Sequence, residues 1–317
     1  MALVYQSYAD HLMQTYGMRI YRIGVDGQFS CPNRNADGTG GCAFCEQSGS
    51  IAAYQQPQKC MELPRSLSLE DRIAHIQTQI ERGKRFLIRR YKAQSFALYF
   101  QSYTNTFDSL AHLKQLYDAA LQQGPFVELI ISTRPDCLST EVLDLISSYK
   151  NRVERVWVEL GLQTANRRAL DLVGRNHDVS SYIMSVNSLH SRDIGVCTHI
   201  MLGLPLDGYS EYRHTARVIN SVKSEAVKIH NLHICRDTRM EDWYAMGEIT
   251  AASVRRHVED TVYMLRHLDS SIVIERMLCE TPSERRVAPS DFVDKHRFLR
   301  QVTRIMEEKG WRQGDLV

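Results

Sequence analysis

The chain has no apolar run approaching the ~20 residues that span a bilayer. Nothing in its first residues resembles a secretory leader, so none is expected: Met1-Ala2-Leu3-Val4-Tyr5 gives way at once to polar residues and Asp10. An excess of one charge is missing too. Lys and Arg number 39 against 37 Asp and Glu, a net +2 over 317 residues, so affinity for a polyanion must come from a local patch. The chain has 8 cysteines, but only Cys42 and Cys45 form a close pair, while Cys60, Cys137, Cys197, Cys235 and Cys279 stand alone. That spacing excludes a disulfide framework and fits a reducing, cytoplasmic setting. The phosphate loop G-x-x-x-x-G-K-[ST], the dinucleotide turn G-x-G-x-x-G and the nucleophile elbow G-x-S-x-G are absent. There is no internal repeat, low-complexity tract or long linker.

What is present is an alternation of two hydrophobic periods. Six short runs rich in β-branched and aromatic residues predict strands: Arg19–Val25, Ser95–Phe100, Phe126–Ser132, Val153–Glu159, Gly195–Met201 and Ala226–Leu232. Between them lie helical stripes, such as Ile73, Ile76, Ile80 and Leu87 in Leu69–Lys92, which Ser68 caps with Glu70 and Asp71 behind it. Such alternation predicts a parallel sheet with helical crossovers, either a partial barrel or an open doubly wound sheet, with sites at the C-terminal strand ends. From about Arg236 the pattern changes to helices at Arg239–Gly247 and Ala251–Leu268, a strand at Ser271–Leu278 and a helix at Asp291–Lys309. The expected organisation is a helical lead-in over 1–18, a core over 19–247 and an α+β extension over 248–317.

The loop after the first strand carries Cys31, Cys42 and Cys45 at spacing C-x10-C-x2-C, among Gly38, Gly40 and Gly41. Structural zinc and ordinary electron-transfer clusters usually take four protein ligands. Three thiolates leave one metal position open and so point to catalysis. Phe44 is placed to shield a cluster on one side. The competing reading is a zinc knuckle completed by a distant ligand such as Cys60.

With Cys-Ala-Phe-Cys and its upstream third cysteine, the chain resembles the radical S-adenosylmethionine (SAM) superfamily. Further segments strengthen the resemblance: Glu159-Leu160-Gly161-Leu162-Gln163-Thr164, Arg175-Asn176-His177, His199-Ile200-Met201-Leu202-Gly203-Leu204-Pro205 and Lys228-Ile229-His230-Asn231-Leu232. The set is most similar to the branch containing the Elongator catalytic subunit and the oxygen-independent coproporphyrinogen oxidase. The resemblance implies a partial (β/α)6 barrel. It implies that Cys31, Cys42 and Cys45 bind a [4Fe–4S] cluster whose open iron takes SAM, and that SAM is split to a 5′-deoxyadenosyl radical that removes hydrogen from substrate. It also implies that Glu159 and Gln163 bind the ribose or methionine part of SAM, that Arg175 lies near its carboxylate and that Gly203 passes close to its adenine. Where the superfamily often has Gly-Gly-Glu, this chain has Gln101-Ser102-Tyr103, and Gln101 and Ser102 take the expected place beside the SAM amino group.

Lys228 and His230 share one strand face and are the expected catalytic side chains if that face looks into the barrel. The resemblance also implies a reductant such as flavodoxin or ferredoxin, no membrane partner, and tRNA as partner through the C5 side chain of the wobble uridine. The length leaves no room for the acetyltransferase domain of the Elongator catalytic subunit, so different chemistry on that side chain is expected. Arg82, Arg85, Arg89 and Lys92, with Lys84 and Arg90 beside them, form a basic helix face. It is either a solvated surface or a phosphate-contacting stripe for RNA. The alternative to the enzyme reading is a non-catalytic zinc- or Fe–S-binding protein that binds RNA or carries a cofactor.

Overall fold

Strands β1 (Ile20–Val25), β2 (Ser95–Phe100), β3 (Glu128–Thr133), β4 (Arg155–Gln163), β5 (Gly195–Leu202) and β6 (Ala226–Asn231) lie side by side in sequence order. This is a computed structural model describing residues 4–35, 39–46, 55, 67–290 and 292–317; Gly38 and Cys60 lie outside the described residues. The two-residue N-terminal part of a further pair, β7 (Ile234–Cys235), follows β6, and β8 (Val273–Arg276) then joins β6 in parallel as the seventh strand of the main sheet. The strand expected over 271–278 thus continues the main sheet. β9 (Arg286–Ala288) pairs antiparallel with β7.

Every pairing in the seven-stranded sheet is parallel, and the strand order never reverses. A doubly wound sheet has a switch point where the order reverses. Its absence decides for the partial barrel: the sheet curls into a half-barrel with helices outside.

The strand period of two makes the two faces different. Ile23, Val25, Leu98, Phe100, Leu129, Ile131, Val158, Val196 and Val227 point outward into one large core shared with the helices. That core includes Ile76, Ile80 and Leu87 from the helix Leu69–Tyr91, the stripe expected from its sequence. Ser68 caps this helix by accepting from Asp71 N at 3.1 Å. Inward residues form layers. The lowest, Ile20, Ala97, Ile130, Trp157, Cys197, Ala226 and Val273, is apolar. The N-terminal helix α1 (Tyr8–Tyr16) closes it from below with Leu12. Burying Glu128 there requires partners. It accepts from Tyr8 Oη (2.7 Å), Tyr16 Oη (3.0 Å) and Trp157 Nε1 (3.1 Å). Among the described residues, no helix is long and apolar enough to cross a membrane.

Candidate active site

The C-terminal strand ends open into a cavity of about 330 Å³ whose wall includes Cys31, Cys42 and Cys45. That volume suits a small-molecule site. The cysteine loop is anchored through its backbone. Ala43 N donates to Val173 O at 2.8 Å, and Arg239 donates to Gly41 O at 2.9 Å. Asn33 Nδ2 donates to Gly174 O and Arg175 O and reaches Cys42 Sγ at 3.5 Å. Gly41 adopts a φ of +97°, a conformation that a side chain would strain. Ala43 is fully buried against Val173, Leu204, Leu232 and Met240, and Phe44 packs onto the same cluster while lining the cavity.

Three guanidinium groups surround the thiols. Arg34 Nη2 lies 3.2 Å from Cys45 Sγ, and Arg175 Nη1 lies 3.7 Å from Cys42 Sγ. Arg134 acts electrostatically on Cys31 and Cys42. Burial pushes the Cys45 thiol up, and Arg34 pulls it back toward the thiolate. Each arginine is held in turn. Arg34 lies over the Tyr103 ring at 4.9 Å. Arg134 forks onto Asp136 at 2.9 and 2.8 Å and donates to Arg175 O, leaving its buried Nη1 without a hydrogen-bond partner. Arg175 donates to His177 Nε2 (2.8 Å) and Gly161 O (2.7 Å). A Cβ at Gly161 would meet Arg175 Nη2 at 2.5 Å, so that guanidinium reaches the loop only past a glycine.

This donor set fits a [4Fe–4S] cluster. Zinc–thiolate bonds of about 2.3 Å would draw the sulfurs of one ion to within about 4 Å of each other. Cys31, Cys42 and Cys45 do not converge that tightly. Among the described residues the one group within 4.8 Å is Glu159, Cys197 and His199. A wider triad ringed by cations, with an orphaned buried N–H, suits a larger anionic group, because buried donors are normally paired.

The structure brings Gln101, Gln163, Arg175 and His230 to the same cavity wall as the cysteines. Gln163 reaches it through a register shift after Gly161, and its own φ is +72°. His230 Nε2 has no hydrogen-bond partner, and burial keeps its imidazole well below the ordinary value and hence neutral. Ser102, Glu159, Gly203 and Lys228, expected at the site, do not line this cavity. Ser102 is fully buried. Gly203 N donates to Tyr212 Oη at 2.9 Å, and the residue backs onto His257.

Glu159 and Lys228 belong to a charged layer beneath the cavity. Lys228 Nζ lies 2.7 Å from Glu159 and 2.6 Å from Glu275. Arg22 donates to Glu159 (3.2 Å) and Glu275 (2.8 Å), and Tyr99 Oη (2.6 Å) and His199 Nε2 (2.7 Å) also donate to Glu159. Glu159 has no exposed surface, and its oxygens are already taken. Charges buried this deeply must be paired. Glu159 and Lys228, expected at the SAM and substrate sites, are here engaged in a buried ion network beneath the cavity.

Sequence reasoning missed Arg34 and Arg134 as wall residues, while Tyr103 lines the wall beside Gln101 in the segment that stands where Gly-Gly-Glu is usual. For Arg134 the available signal was its position directly after a strand.

Three buried imidazoles tie the site to pH. Burial, the largest cause in each, pushes His177 down to about 4, His233 to about 3 and His257 to about 4. The unfolded chain protonates such rings near pH 6.5, so their contribution is complete above that pH and lost as pH falls toward the folded values. The loss runs up to ~1.4 kcal/mol per pH unit per ring. Thermal unfolding followed from about pH 8 to about pH 5 should show the melting temperature falling steeply below about pH 6.5. A flat profile would contradict this protonation state.

Known proteins agree with this architecture. The model of the Radical SAM superfamily matches residues 31–219, and the Radical_SAM C-terminal domain matches residues 224–308. The uncharacterized protein YtqA of Bacillus subtilis (strain 168) is 31% identical over 307 residues, covering 96% of this chain and 90% of YtqA. A tRNA uridine(34) acetyltransferase of Methanocaldococcus infernus is 25% identical over 190 residues, covering 59% of this chain and 34% of that protein. The solved structure of M. infernus Elp3 lacking N-terminal residues superposes with a TM-score of 0.64 at 21% identity, covering 76% of this chain and 60% of that one. This last likeness concerns the fold.

Proposed function

We propose that this chain, which belongs to the radical SAM superfamily and is an enzyme, remodels the C5 side chain of the tRNA wobble uridine. The observation that carries the chemistry is the cavity wall itself: three thiols with room beside them, ringed by Arg34, Arg134 and Arg175, at the mouth of a half-barrel. Cys31, Cys42 and Cys45 would hold a [4Fe–4S] cluster. When bound, the cluster and SAM supply a radical able to take a hydrogen atom from substrate. Arg34 draws Cys45 toward the thiolate against the effect of burial, and the three guanidinium groups would offset the negative charge of a bound cluster. Gln101 and Gln163 present amide groups to the polar parts of SAM. Neutral His230 offers one ring nitrogen toward substrate. Phe44 and Met201 exclude water from that side of the cavity. A flavodoxin- or ferredoxin-type reductant is the proposed electron source.

The tRNA reading draws support from the similarity to the tRNA uridine(34) acetyltransferase and from exposed Arg85, Arg89 and Arg90 on one helix. Arg82 and Lys84 of the same helix are engaged elsewhere, donating to Gln55 O and Gln123 O. Nucleoside analysis of tRNA from cells lacking the gene tests the reading. A wobble-uridine derivative should be lost and its precursor should accumulate; an unchanged nucleoside profile would refute the tRNA assignment. At the level of SAM, Gln163→Ala should weaken binding about tenfold, the size of one lost amide contact, with iron content unchanged. Unaltered affinity by calorimetry would remove Gln163 from the SAM site.

A further inference from the structure

Among the described residues, the edge strands of the half-barrel, β1 and β8, do not pair through their backbones; Ser7 bridges the β8 edge at Ile274, and Arg22 reaches Glu275 across the gap. Between them runs a groove of about 880 Å³, larger than the mouth cavity. Its lower end is closed by Tyr8, Leu12 and Met13 of α1 and by the bond Ile274 N to Gln6 O at 2.7 Å. Its floor is the charged layer, through Arg22, Tyr99, Lys228 and Glu275. At its upper end Gln101 and Arg276 line both the groove and the mouth cavity. Those two side chains are the wall that the groove and the mouth cavity share.

The groove is basic and has an aromatic edge. Arg19, Arg276 and Lys295 line it in addition to the floor cations, against two carboxylates, Asp10 and Glu275. Glu275 is already neutralised by Arg22 and Lys228, and Asp10 is engaged by Ser7. Leu299 links the groove to a second hollow along the last helix, lined by His296, Arg300 and Arg304. Among the described residues, Lys295 makes no ion pair within 4 Å; Arg300 acts electrostatically on Asp294 without a direct pair, and Arg304 is paired with Glu308 at 3.7 Å on the exposed helix surface. On the β1 side Tyr21 lines the groove and stacks on Tyr91 (ring centroids 5.6 Å apart, planes at 20°), which remains 49% exposed. A cationic track beside a stacking platform is the chemistry that holds single-stranded polynucleotide without reading its sequence.

We infer that this side groove, rather than the open mouth, is the docking track for a single-stranded RNA segment. Its phosphates lie along Lys295, Arg300 and Arg304, one base stacks at Tyr21–Tyr91, and the target nucleoside passes Gln101 and Arg276 into the cavity. The inference rests on the tRNA reading above and adds the route to it.

The test measures binding of an unmodified anticodon stem–loop RNA and of single-stranded oligouridylate to the anaerobically reconstituted enzyme across a salt series. The double reversal Lys295→Glu/Arg300→Glu should weaken both at least tenfold and flatten the salt slope by about 1.4 for two lost phosphate contacts. Iron content and melting temperature should match the parent protein. Arg213→Glu/Arg217→Glu, an equal charge change on the exposed face of the helix Tyr209–Ser221, is the control and should bind nearly as the parent does. Parent-like binding by the groove variant, or equal weakening in both variants, overturns the route and leaves the tRNA reading standing. No RNA binding by the parent protein overturns the tRNA reading and the route together.

Discussion

Cys42→Ala should reduce iron from about four per chain, the content of one [4Fe–4S] cluster, to near zero and abolish reductant-dependent SAM cleavage. The physical basis is local. Cys42 is buried where Arg175 and Asn33 both reach its sulfur, and an alanine there offers the metal no ligand atom. The fold should survive, because the loop is anchored by backbone bonds from Ala43 and to Gly41 that do not involve the thiol. Iron and acid-labile sulfide assays with circular dichroism measure both halves. Full iron content in this variant would remove Cys42 from the ligand set.

Lys228→Met should cost about 3–5 kcal/mol of stability, the range for removing one partner of a buried ion pair. The substitution keeps the length of the side chain and leaves two carboxylates, Glu159 and Glu275, sharing Arg22 alone among strong cations. Burial by itself would push the Glu159 carboxyl up; Lys228, His199 and Arg22 outweigh it and hold the carboxyl well below its ordinary value. A carboxyl held low contributes stability that is present above the unfolded value and is lost as pH falls through the folded one. Without Lys228 the acid limb of the stability profile should therefore move to higher pH. Urea unfolding at neutral and acidic pH reads both effects. A cost below about 1 kcal/mol would show that the network is worth no more than a surface pair.

The parts of this fold legible in the sequence were those governed by local periodicity. Val, Ile and aromatic runs marked β1 to β6 within a few residues, and the stripe Ile76, Ile80, Leu87 marked the helix that covers β1. The cysteine triad was legible because spacing is a one-dimensional property. The inner charged layer was not. Arg22 and Glu275 are 253 positions apart and meet only because the sheet curls until its edges approach one another. In the sequence Lys228 and Glu159 looked like chemistry, since nothing local reveals that each neutralises the other. Arg134 was hidden for the converse reason. Its bidentate bond to Asp136 has the form of a turn, and its approach to the cysteines depends on how β3 and the loop after β1 converge in space. The strand at Val273 looked like part of an appendage because helices precede it, although it extends the parallel sheet beyond β6.

The central claim is that an iron of the bound cluster is left without a protein ligand and receives SAM. Its most direct test is to incubate the anaerobically reconstituted protein with SAM, with and without a low-potential reductant, and to quantify 5′-deoxyadenosine. The account predicts sulfide equal to iron, at about four of each per chain, and 5′-deoxyadenosine formed only when reductant is present. Zinc at full occupancy with no sulfide, or an intact cluster that leaves SAM uncleaved under reduction, would contradict it.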